Sequence, residues 1–140
     1  VVVLALAVVA LGTALIASAG EETATKPLGL APAGVVEALD ANAAALNAMD
    51  TEALAGSYAD YAVVTDAVAG REFEGAEKIA KWYTKGWPTD WNLERVSEVI
   101  QLRAEDPFTF AAFAFTSSRG SGIAVFKLHD LEIIHHWIIG

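Results

Sequence analysis

Cysteine is absent from the 140-residue chain, methionine occurs once, and Lys and Arg together number 9 against 18 Asp and Glu. Without cysteine there is no disulfide, no thiol nucleophile, no thiolate metal site and no lipid-modified cysteine. The compartment stays open, because an exported domain with a large enough core does without disulfides. A formal net charge of −9 repels phosphate backbones, so no nucleic-acid partner is expected. No basic cluster offers an anionic membrane surface a docking site. Phosphate-loop, nucleophile-elbow and dinucleotide motifs are missing too. "GREFEG" lacks the spacing and the lysine of a phosphate loop, and "SSRGSG" reads as a hairpin turn.

Hydrophobic residues, by contrast, make up 54% of the chain. Many of them lie in "VVVLALAVVALGTALIASAG", which is apolar except for Thr13 and Ser18. The run closes on Ala17-Ser18-Ala19, the small-x-small pattern of a signal-peptidase site, with cleavage expected after Ala19. About 20 apolar residues also suffice to span a bilayer, so an uncleaved anchor is the alternative. A buried core helix is disfavoured because the run has no polar face. No basic n-region or initiating methionine precedes it, so the start of the protein is expected upstream. Residues 1–19 are therefore read as signal or anchor, 20–32 as a linker rich in polar residues, Pro and Gly, and 33–140 as one domain outside the cytoplasm, periplasmic or secreted.

Within that domain, "AGVVEALDANAAALNAMD" repeats apolar residues at Val36, Leu39, Ala43 and Leu46, a helical period. Asp50 is placed to cap a short helix, "TEALAGSY". "AVVTD" is β-branched and reads as a strand, and "AEKIAKWYTKGW" as a helix stopped by Gly86 and Pro88. Four strands follow: "WNLERVSEVIQLR", "FTFAAFAFTSS", "GIAVFKLH" and "LEIIHHWIIG". Helices first and a meander last predict an α+β fold, with a curved antiparallel sheet wrapped around the helices as a cone. The alternation of "FTFAAFAF" breaks at Ala111-Ala112, which predicts a bulge there.

Asp66 ends the strand "AVVTD" and shares parity with Ala62 and Val64. It is either a turn residue bonded to its own loop or the working carboxylate of a pocket. In "HHW", strand parity puts His136 with Ile134 and Ile138, and His135 with Ile133 and Trp137, so one histidine faces in and one out. His136 facing in could pair with Asp66 or donate to a ligand. Zinc needs three or four ligands, and His129, His135 and His136 do not converge; neither metal nor cofactor is expected. Trp82, Tyr83 and Trp87 are core packing or the wall of an apolar pocket, as are Phe113 and its neighbouring phenylalanines. Asn42 is a neutral hydrogen-bonding group for a ligand, or an ordinary solvated asparagine.

"AALNAMDTEALAGSYADYAVVTDAVAG", "FEGAEKIAKWY", "FAFT" and "VFKLHDLEIIHHW" occur in an order that resembles the nuclear-transport-factor-2-like superfamily, in its SnoaL-like and ketosteroid-isomerase-like branch. The resemblance covers nearly all of residues 35–139. It implies a cone around an apolar pocket that takes a small apolar or amphipathic molecule, and often a homodimer through the open sheet face. By resemblance Asp66 stands where the isomerases carry the proton-shuttling carboxylate, Tyr83 where they carry a supporting tyrosine, and His136 is the inward histidine. Their principal oxyanion tyrosine corresponds to Asn42 and their oxyanion aspartate to Ala124, so steroid isomerisation is not implied. The expected catalytic set is Asp66, His136 and Tyr83, and the expected ligand wall is Asn42, Tyr58, Trp82, Trp87, Phe113 and Ile138. Such domains include isomerases, cyclases and dehydratases, but also binding and assembly modules without catalysis.

Overall fold

The computed structural model describes residues 28–86 and 90–140. The proposed signal or anchor and Trp87 lie outside the described residues. The elements in chain order are β1 (Gly29–Leu30), α1 (Ala33–Asn47), α2 (Thr51–Gly56), β2 (Tyr58–Asp66), β3 (Arg71–Glu74), α3 (Ala76–Lys85), β4 (Glu94–Arg95), β5 (Ile100–Glu105), β6 (Phe108–Ser117), β7 (Gly120–His129) and β8 (Glu132–Ile139). Gly29 and Leu30, expected in a linker, pair with Gln101 and Ile100 of β5.

The helices start and stop for local reasons. Helix α1 buries Val35, Leu39, Asn42 and Leu46, a stripe of helical period with a polar residue inside it. Val36 and Ala43, read from the sequence as part of the buried stripe, lie beside it, half-buried. At its end Asp50 N–H donates to Ala45 and Met49 N–H to Leu46, with Met49 in the left-handed region at φ 55°. This is a Schellman turn. Asp50 then caps α2, accepting from Ala53 N–H at 3.1 Å. Helix α3 turns Ile79, Ala80, Tyr83 and Thr84 inward and packs against α2 and β2.

The eight strands form one open sheet in the order β1-β5-β6-β7-β8-β2-β3, with β4 beside β6. Strands β5 to β8 are the expected antiparallel meander, but β8 lies parallel to β2, so the sheet is mixed rather than antiparallel throughout. Four hairpin reversals, β2–β3 and then the three of the meander, bring β8 back in the same sense as β2, and the chain from β3 to β7 serves as the connection. The expected single strand "WNLERVSEVIQLR" is two, β4 and β5. Between them, at Ser97, the strand gives way to a side-chain bond: Ala114 N–H donates to Ser97 Oγ at 2.8 Å.

Three register shifts interrupt the ladders of the described residues, one of them in β2 between Tyr58 and Val63, where it pairs with β8. The bulge expected at Ala111-Ala112 is on the partner strand: Gln101 and Arg103 pair with Ala111 and Phe110, leaving Leu102 over, while β6 pairs with β7 without interruption. The remaining bulge, at Ile134 in β8, changes strand phase. Ile133 and His136 are therefore both buried, although simple alternation puts them on opposite faces. The core lies between the concave face and the helices, centred on Leu39, Leu54, Val64, Ile79, Phe126, Leu128 and Ile133.

Candidate functional site

An apolar cavity of about 280 Å³ opens between α1, α3 and the concave face of the sheet. Its walls include Leu46 from α1, Trp82 and Tyr83 from α3, Trp91 from the following loop, and Phe113, Phe115, Ala124, Phe126 and Ile138 from the sheet. Of the nine expected site residues, eight line it: Asp66, His136, Tyr83, Asn42, Tyr58, Trp82, Phe113 and Ile138. The ninth, Trp87, lies outside the described residues.

Asp66 combines both readings of its position. It is the last residue of β2, inward-facing and only 9% exposed. Its Oδ1 accepts from Val68 N–H at 3.1 Å and Ala69 N–H at 3.0 Å, holding the loop after the strand in an Asx-type turn. Its Oδ2 has no hydrogen-bond partner among the described residues, and the side chain lines the cavity. One oxygen is structural and the other is available.

His136 is tied to Tyr58 rather than to Asp66. Tyr58 Oη lies 3.1 Å from His136 Nδ1, and no hydrogen bond joins Asp66 to the histidine. Burial, helped by neighbouring His135, pushes the His136 pKa down to about 3, so the ring is neutral at physiological pH. Burial also raises the Tyr58 pKa, against the bond from the Asn42 side chain, so the phenol keeps its proton. A neutral imidazole that accepts the Tyr58 proton at Nδ1 carries its own on Nε2 and donates from there. The ring is clamped by Phe126, with centroids 4.2 Å apart and planes 22° from parallel.

Asn42 is otherwise committed. Its Nδ2 donates to Ser57 Oγ at 2.7 Å, and Ser57 Oγ donates on to Leu54 O at 2.7 Å. The bond to Ser57 commits one of its two amide N–H groups to the protein. His135, on the outer face, stacks on Trp137 at 3.7 Å and contacts Thr65 Oγ1 at 3.0 Å.

Tyr83 is the outlier. Its hydroxyl is the one buried side-chain polar atom among the described residues without a hydrogen-bond partner. Burial, with the charges of Tyr58 and Asp66, drives its pKa well above the ordinary phenol value, so it remains an O–H donor. The ring is fixed by Trp82 at 4.7 Å and Trp91 at 5.4 Å, and Trp91 Nε1 donates to Tyr83 O at 2.7 Å. An orphaned buried hydroxyl costs about 1–3 kcal/mol. A ligand oxygen arriving in the cavity could relieve it.

Sequence reasoning missed Trp91, Arg71 and Arg119. Trp91 follows Pro88 in a loop with no pattern to mark it. Arg71 opens β3 and Arg119 sits in the β6–β7 turn, and charge patterning alone does not show that both line one cavity.

No family model matches the chain, and no curated protein matches it. Solved structures do. A SnoaL-like protein of unknown function from Burkholderia thailandensis has a TM-score of 0.62 at 17% identity, over 78% of this chain and 95% of that one. An NTF-2-like protein of unknown function from Burkholderia xenovorans gives 0.56 at 16%, over 75% and 80%. A protein with a ketosteroid-isomerase-like fold from Catenulispora acidiphila, in complex with trimethylamine, gives 0.56 at 16%, over 74% and 85%. At these identities the likeness is one of fold, and the fold is the nuclear-transport-factor-2-like α+β cone.

Proposed function

We propose that the cone binds a small apolar or amphipathic molecule carrying a carbonyl group and moves a proton on it without a cofactor. The observation that carries this is the orphaned Tyr83 hydroxyl, buried in the apolar cavity that Asp66 also lines. In this reading Asp66 Oδ2 takes a proton from the carbon next to the carbonyl. The Tyr83 O–H donates to the carbonyl oxygen as negative charge develops there. His136 Nε2–H is a neutral second donor, held in its tautomer by Tyr58. Isomerase-, cyclase- and dehydratase-type reactions all begin with this step. The trimethylamine bound by one structural neighbour supports a small-molecule site in this fold.

The test is uptake of deuterium from D₂O at the α-carbon of 2-tetralone, followed by NMR. The full chain should accelerate it, and Asp66→Asn should lower the enzymatic rate by about 10²–10⁴-fold. Asparagine keeps an oxygen for the Val68 and Ala69 amides, so the loop survives the change. Equal rates for the two proteins would remove the catalytic role.

A non-catalytic binding or assembly module is the second reading. The outer sheet face favours it: Phe110, Ile123, Val125 and Trp137 lie on neighbouring strands and are only half-buried. A homodimer through that face is proposed, and a monomer mass in sedimentation at high concentration would remove it. Export is proposed on residues 1–19 alone; among the described residues no helix is long and apolar enough to cross a membrane. Mass spectrometry of the exported product would test cleavage after Ala19.

A further inference from the structure

Trp91 follows the end of α3 in the chain and comes back to it in space. Helix α3 stops at Lys85, and the N–H of its C-cap, Gly86, donates to Trp82 O at 3.1 Å. Tyr83 O is the next carbonyl along, one of the last four, for which a helix has no partner of its own. Trp91 Nε1 donates to it at 2.7 Å, and the bond is buried. The segment that carries the indole is itself tied at two places. Trp91 O accepts from Ser118 N–H at 2.8 Å and Asp90 O from Ser118 Oγ at 2.6 Å, which joins it to the β6–β7 turn. Leu93 N–H donates to Asn47 Oδ1 at 2.7 Å and Leu93 O accepts from Asn47 Nδ2 at 2.9 Å, which joins it to the last residue of α1. Between these ties Asn92 takes φ 48°, in the left-handed region that asparagine tolerates. Residues 90–93 are a strap anchored on two elements and holding a third.

We propose that Trp91 is a positioning residue for the proton transfer: through Tyr83 O, its strap sets where the Tyr83 hydroxyl stands in the cavity. This rests on the reading of that hydroxyl as the donor to the substrate carbonyl and adds what aims it. The hydroxyl has no hydrogen-bond partner to hold it. Its place is set by the packing of the ring and by the main chain from which the ring hangs. Trp91 acts on both. Its indole meets the Tyr83 ring edge-on, with centroids 5.4 Å apart and planes at 65°, while its N–H grips the carbonyl of the same residue. Trp91 and Leu93 also line the cavity, so the strap that aims the donor bounds the space the ligand fills. Aim matters because such a donor works only at roughly 2.7–3.1 Å from the oxygen that gains charge. A displacement of about 1 Å can cost about 10²-fold in rate.

The test replaces Trp91 in the full chain with benzothienylalanine, an isostere that has sulfur in place of the indole N–H. The bond to Tyr83 O is lost and the shape of the wall is kept. Two readouts use 2-tetralone labelled at its carbonyl carbon: the infrared C=O band of the bound ketone, and α-proton exchange. In the unaltered chain the band should move to lower frequency on binding, and Tyr83→Phe should abolish that shift. The isostere should lose most of the shift and lower kcat for exchange by about 10–10²-fold with KM little changed, the mark of a contact made in the transition state. In a Tyr83→Phe background it should change neither readout further, whereas a loss of structure alone would add to that of Tyr83→Phe. A full shift and full kcat in the isostere, or additive losses, overturns the positioning role and leaves Tyr83 as the donor. A band that does not move in the unaltered chain removes the donor, and this proposal with it. Exchange that is absent from the unaltered chain while the band still shifts counts against the proton transfer alone, and the band then decides the role of Trp91.

Discussion

Tyr58 Oη and His136 Nδ1 are 3.1 Å apart across the parallel β2–β8 pairing, and that bond, not one to Asp66, orients the imidazole that burial keeps neutral. The imidazole is a neutral, oriented donor. The negative charge of the site belongs to Asp66 alone.

The neutral state has a cost in acid. Folded His136 titrates at about 3, below the ordinary imidazole value of 6.5. As pH falls through 6.5 the unfolded chain binds a proton that the folded chain refuses. The stability contribution is full above 6.5 and is lost progressively down to about 3. Urea melts near pH 7.5 and pH 4.5 should show the wild type losing about 2–3 kcal/mol more than His136→Gln over that interval. His135 is shifted the same way, chiefly by burial, and is common to both proteins, so the difference isolates His136.

Tyr83→Phe should separate stability from function. Removing a hydroxyl with no partner should raise the unfolding free energy by about 1 kcal/mol. Loss of a donor aimed at developing charge should lower α-proton exchange by about 10²–10³-fold. A variant that is both less stable and fully active would contradict both expectations.

The β7–β8 turn holds Asp130 at φ 47° and Leu131 at φ 71°, both in the left-handed region. A two-residue turn of this hand suits Asn-Gly, and a leucine there is strained. Leu131 is 52% exposed and rests on Gly34, so it buries little. Leu131→Gly should stabilise the fold by roughly 0.5–1 kcal/mol, read as a higher urea midpoint at unchanged slope.

Trp137→Glu tests the outer face. Trp137 stacks on His135 and pairs across strands with Val125, away from the cavity. If the unaltered chain sediments as the proposed homodimer, a charge there should give a monomer while leaving α-proton exchange unchanged.

Much of the fold was legible because its signals are local. The Asp50 cap, the α3 stripe and the parity of Ala62, Val64 and Asp66 each depend on a few neighbouring residues. The partner of β2 was not legible, since nothing in "AVVTD" says that β8, some seventy positions later, lies beside it in parallel. The inward face of His136 was anticipated, but the bulge at Ile134 that places it with Ile133 has no glycine to announce it. In the site, Asp66 carried a visible oddity, a carboxylate ending an apolar strand. Arg71 and Arg119 carried none, because turns normally expose charge.

The β2–β8 pairing also governs the order in which the molecule can assemble. Asp66 and Tyr83 are in place once β2 and α3 have met, but Tyr58 gains its histidine only when β8 docks. Before that, β2 and β7 each present an unpaired edge, and the concave wall lacks His136 and Ile138. A pairing of such long sequence separation raises the contact order and slows folding. The cavity is thus closed by the last strand, and a chain still emerging from synthesis has the carboxylate of the site without the wall that encloses it.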